Sequence, residues 1–169
     1  MSWSERRSVL ACLSALALLT ACGFAPVHAP GGAGAALRGT VQADAPQDPL
    51  DFAFVAAVEQ RIGRAALPRL ALDYDIDTTE RGGARVPELG DTRIQIFGTA
   101  SFALRDLAAD TELVRGKVQN FTSYSATSTQ LATRAAREDA ERRLMVILAD
   151  LVISDLIARL PDRAAEPAP

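Results

Sequence analysis

Leu70, Leu72, Tyr74 and Ile76 alternate strictly with Ala71, Asp73, Asp75 and Asp77. That period of two commits the segment to a strand with one buried and one solvated face. Two further segments obey the same rule. In residues 92–105, Ile94, Ile96, Ala100, Phe102 and Leu104 form the inward set, with Gly98 as a bulge or bend. Val114, Val118 and Tyr124 then alternate with Arg115, Lys117 and Gln119. A turn around Ala108-Ala109-Asp110 joins these last two as an antiparallel hairpin. Residues 80–91, which carry Gly82-Gly83, Pro87 and Gly90, read as a mobile loop.

A sheet with one apolar face needs a covering layer. Asp48-Pro49-Leu50-Asp51 starts the first helix: Asp48 caps it, Pro49 suits the first position, and Asp51 favours the positive dipole end. Leu50, Phe54, Val58 and Ile62 recur every four residues, with Val55 and Ala65 beside them, so the helix runs to about residue 67 before Pro68. Before it, Leu37, Gly39 and Val41 alternate with Arg38, Thr40 and Gln42 as a short strand. Thr127 or Ser128 caps the last helix, which continues to Leu160 and stops at Pro161. Residues 144–160 are apolar over most of the circumference, more than one sheet requires. A second layer supplied by the first helix is the default explanation, and a partner protein the other. The expected fold is α+β, a two-layer sandwich of two helices on a four-stranded, mostly antiparallel sheet in the order β-α-β-β-β-α.

The first 21 residues lie outside that domain. Arg6 and Arg7 form a positive n-region, residues 9–19 an apolar h-region, and Thr20 and Ala21 a small-residue cleavage site ahead of Cys22. The run is well short of the roughly 18 residues that span a bilayer. Leu19-Thr20-Ala21-Cys22 therefore reads as a lipoprotein processing site, with Cys22 the first mature residue, carrying diacylglycerol and N-acyl chains such as palmitate. At about 0.8 kcal/mol per buried methylene, two or three chains hold a protein at a membrane far more firmly than one. Glu5 ahead of the arginine pair, and the lack of a lysine after the apolar run, favour Sec over twin-arginine export. Residues 22–36 are rich in Ala, Gly and Pro and read as a lipidated flexible tether, 37–160 as the domain, and 161–169 as a disordered tail.

Loss of residues 1–21 removes Arg6, Arg7 and Glu5, so the charge of -3 becomes -4, which argues against a nucleic-acid partner. Cys12 departs with the signal and Cys22 is consumed by lipid, leaving no thiol for a disulfide or a zinc site. Asp73, Asp75 and Asp77 project from one strand face roughly 6.6 Å apart, too widely for one cation to gather them unaided. Cross-strand pairing with Arg93, Arg105, Arg115 and Lys117 is the simpler account, so no metal is assigned. His28 is the sole histidine and lies in the tether. With no placed partner for it, and no phosphate loop or nucleophile motif, the chain is read as a non-enzyme without a cofactor beyond its lipid. Arg115 and Lys117, the latter the only lysine, are two cations on one strand face, either solvated or able to receive phosphate or carboxylate groups.

Cys22-Gly23-Phe24-Ala25-Pro26, Ser123-Tyr124 and Ala135-Ala136-Arg137-Glu138-Asp139-Ala140, together with the element order, resemble the LPS-assembly lipoprotein LptE family. Val27-His28 departs from the family's usual Leu-Tyr. The resemblance implies a plug and folding partner of the LptD barrel that binds lipopolysaccharide, with Arg115 and Lys117 positioned to meet lipid phosphates. Lipoproteins retained in the inner membrane commonly carry Asp after the acylated cysteine. Gly23 therefore implies an outer-membrane location, lipid-anchored and facing the periplasm. The alternatives are an auxiliary lipoprotein of an ABC-type lipid-trafficking system and a purely structural envelope lipoprotein.

Overall fold

The computed structural model describes residues 28–29, 31–86, 90–126 and 129–160. The signal segment, Cys22 with the four residues after it, the predicted caps Thr127 and Ser128, and the tail at 161–169 lie outside the described residues. The chain forms α1 (Ala33–Leu37), β1 (Val41–Ala43), α2 (Pro49–Ile62), β2 (Leu70–Val86), β3 (Gly90–Asp106), β4 (Thr111–Ser125) and α3 (Gln130–Arg159). The four strands make one sheet in sequence order, with β1 parallel to β2 and the other neighbours antiparallel. This is the expected α+β sandwich with one short helix added.

Alternation sets the two faces of the sheet. Leu70, Leu72, Ile96, Ala100, Phe102, Leu104, Val114 and Tyr124 are buried beneath the helices. Asp75, Asp77, Arg115, Lys117 and Gln119, of opposite parity, are exposed on the other side. Over the apolar face, α3 packs against β3, β4 and α2. Ala140, Leu144, Met145, Leu148, Ala149, Val152, Ile153 and Leu156 are all buried along it, so the broad apolar circumference is used within the chain. From α2, Phe54, Ala57, Val58 and Ile62 complete the layer, and the Phe54 ring meets that of Tyr74 at 4.9 Å between centroids. Burial pushes the Tyr74 hydroxyl up to about 12, with the nearby carboxylates of Asp51, Asp44 and Asp48 adding to it.

Four boundaries differ from the sequence reading. Residues 80–86 are strand rather than loop, because the β2–β3 ladder continues past Thr78–Gly98 to Val86–Gly90 and absorbs the glycine pair in a register shift between Gly82 and Ala84. The first helix ends at Ile62, where Gly63 takes φ 79° and returns its N–H to the Glu59 carbonyl. Residues 33–36, read as part of the tether, form α1 with Leu37. Alanine is the best helix former, and Leu37, expected in a strand, is fully buried. The last helix is capped one residue later than expected, by Thr129, whose hydroxyl accepts the Ala132 N–H. Gly98 makes no bulge. It pairs in register with Thr78 and Asn120.

Candidate functional site

The described helices all lie on one side, so the outer face of the sheet is the broad surface that the described residues leave uncovered. Its chemistry follows the register. Asp73 on β2 aligns with Ala103 on β3 and Arg115 on β4, and Asp75 aligns with Ser101 and Lys117. Each row therefore runs from acid to base across about two strand spacings, or roughly 10 Å. Asp73 accepts a two-pronged bond from Arg105, with Nε to Oδ2 at 2.8 Å and Nη2 to Oδ1 at 3.0 Å. That pair holds the Arg105 guanidinium above its ordinary range. Arg115 turns instead to Glu112 on its own strand, with Nε to Oε1 at 3.0 Å, and its donated bond pulls the Glu112 carboxyl below the usual range. Arg93 donates to the Ser123 hydroxyl at 3.1 Å. The expected cross-strand pairing is thus realised at Asp73 alone. Among the described residues, Asp75, Asp77 and Lys117 have no ion-pair partner.

An aromatic patch on this face was not anticipated from the sequence. Phe97 and Phe121 sit side by side with ring centroids 5.5 Å apart, and the Arg81 guanidinium lies 5.1 Å from the Phe97 centroid. Phe121 remains 51% exposed. A hollow of about 380 Å³ surrounds the three, bordered by Asp77 and Gln119. The available signal was parity: both phenylalanines occupy the polar phase of their strands. The face therefore offers charged groups and exposed apolar surface within a few rows, the combination an amphiphile requires.

A second hollow, of about 750 Å³, opens between the start of α3 and the sheet. It brings together the end of β4 and the first turns of α3. Tyr124, Arg137 and Glu138 all line it. Arg137 Nε is 2.8 Å from Glu80 Oε1 and 3.1 Å from Glu141 Oε1, and the Tyr124 hydroxyl donates to the same Glu80 oxygen at 3.5 Å. Burial, then the Glu80 charge, raise the Tyr124 hydroxyl above its usual value. This network ties the extended β2–β3 hairpin to α3 and leaves Arg137 occupied.

His28 lies beside Arg38, Arg61 and Asp150 in a third hollow of about 430 Å³. There Arg61 Nε donates to Asp150 at 2.6 Å, linking α2 to α3. No group of three metal-ligating side chains converges among the described residues. None of the described helices is long and apolar enough to cross a membrane. Cys22, the predicted lipidation site, lies outside the described residues.

No protein-family model matches the chain, and no curated protein matches it. Solved structures do. A Caulobacter crescentus protein assigned provisionally as a lipoprotein superposes with a TM-score of 0.64 at 17% identity, over 80% of this chain and 98% of that one. Rare lipoprotein B of Shewanella oneidensis gives 0.54 at 11% identity, over 70% and 92%. Uncharacterized lipoprotein B of Nitrosomonas europaea gives 0.52 at 11%, over 72% and 82%. At these identities the likeness is one of fold.

Proposed function

We propose that this chain is an outer-membrane lipoprotein of lipopolysaccharide transport and assembly, of the LptE kind, acting as plug and folding partner of an LptD-like barrel. The observation that carries this reading is the uncovered sheet face. Its polar rows suit the wet lumen of a barrel, and its aromatic patch and basic β4 edge suit an anionic amphiphile. The fold shared with solved bacterial lipoproteins supports it, as does the processing site at Cys22. Cys22 carries diacylglycerol and an N-acyl chain, Gly23 directs the protein to the outer membrane, and the domain faces the periplasm. Its role is that of a binding partner rather than an enzyme.

Lys117 and Arg115 are the lipopolysaccharide-binding residues in this reading. Lys117 is exposed and free of any ion pair among the described residues, whereas Arg115 must exchange Glu112 for a lipid phosphate. Arg115→Glu with Lys117→Glu is expected to weaken lipopolysaccharide binding at least tenfold in a direct binding assay, with an unchanged circular dichroism spectrum. Unaltered affinity would remove the assignment of this face. For the anchor, Cys22→Ser is expected to leave the protein without acyl chains by intact mass. An acylated N-terminus in that variant would contradict the anchor's position.

A further inference from the structure

We propose that the outer sheet face is self-complementary and joins two copies of this chain face to face, about a two-fold axis parallel to β3. The inference needs only a second copy and stands apart from the lipopolysaccharide reading. Register carries it. In the rows of Asp73 and Asp75 the acid is on β2 and the base on β4, with β3 midway between them. A two-fold axis along β3 lays β2 of one copy over β4 of the other while keeping the rows aligned. Asp75 then faces Lys117 of the second copy, and Lys117 faces its Asp75. An axis running across the strands stacks β2 on β2 and β4 on β4 and inverts the row order; through the Asp75 row it opposes Asp75 to Asp75 and Lys117 to Lys117, and no shift of that axis sets both residues against opposite charges. Only the first arrangement gives Asp75 and Lys117 opposite charges together.

The same operation settles the aromatic patch. Thr79, Phe97 and Phe121 share one row, and Phe97 is on the central strand. Phe97 therefore meets Phe97 of the second copy on the axis, with Phe121 flanking it from both sides. Facing sheets lie about 10 Å apart, a gap that aromatic side chains can fill. Asp75 and Lys117, without an ion-pair partner among the described residues, gain their partners from the second copy. Five rows on three strands cover on the order of 500 Å² per copy, so the pair buries about 1,000 Å², the lower limit for a specific interface. The association is consequently reversible, and it hides Lys117 from any other ligand.

Sedimentation of the lipidated protein in detergent, without a barrel and at tens of micromolar, tests this. The wild type is expected to sediment as a dimer. Asp75→Lys alone and Lys117→Asp alone each place like charges in contact twice over and are expected to weaken association at least tenfold. The double variant Asp75→Lys/Lys117→Asp restores opposite charges and is expected to dimerise again. All three variants are checked for folding by circular dichroism, and both altered side chains are exposed. A monomeric wild type overturns the proposal, including one that binds only when a barrel or lipopolysaccharide is supplied. So does a dimer indifferent to both single reversals, or one that the double variant fails to restore.

Discussion

Two missing side chains set how closely the layers approach. A Cβ at Gly116 would lie 2.4 Å from Phe102 Cζ and 2.7 Å from Asp155 Oδ2, and one at Gly98 would lie 2.9 Å from Leu144 Cδ2. The Gly116 neighbours are a rigid ring and a helix-borne carboxylate; the Gly98 neighbours are the ends of leucines. Overpacking a core costs about 1–3 kcal/mol. Gly116→Ala is therefore expected to sit near the upper end of that range and Gly98→Ala near the lower, measured as a drop in urea midpoint at constant slope. Equal losses would contradict the close-approach account. Neither role was legible in the sequence, where Gly98 read as a bend. A glycine that admits another element looks the same as one that turns the chain. Asp73, Asp75 and Asp77 were legible as an outward row, but their partners were not, because Arg115 finds a carboxylate three residues away before one two strands away.

At the scale of elements, local chemistry was read well and propagation was not. The start of α2 was legible: Asp48 Oδ1 accepts the Leu50 and Asp51 N–H groups at 2.8 and 2.9 Å, with Pro49 at the first position. Asp48→Ala is expected to cost about 1 kcal/mol, read from chemical denaturation. A loss within error would mean that packing of Phe54 alone fixes the helix. The apolar circumference of the last helix was also legible and found its partner in α2. The length of β2 and β3 was not. Glycine and proline composition argued for a loop at 80–91, yet each added pair of a hairpin already in register extends its ladder whatever the residues' own preference. Composition misled in the same way at 33–36, where alanine spacing too short to show a period still folds onto α3 as α1.

For the whole molecule, a single asymmetry organises the account. The described helices cover one side of the sheet and leave a charged, partly aromatic side uncovered, and in sequence the domain follows a cysteine that reads as a lipid anchor. Fold class and the polarity of that face followed from period alone. The aromatic patch, and the lack of an ion-pair partner for Lys117 among the described residues, required the register. In the role proposed above, this face and its lipid serve a barrel of the lipopolysaccharide pathway. Mild-detergent extraction of the lipidated protein from its native envelope, followed by identification of what purifies with it, tests that role. An LptD-like barrel in stoichiometric amount is the expected result. Recovery of an inner-membrane ABC-type transporter without the barrel would contradict it.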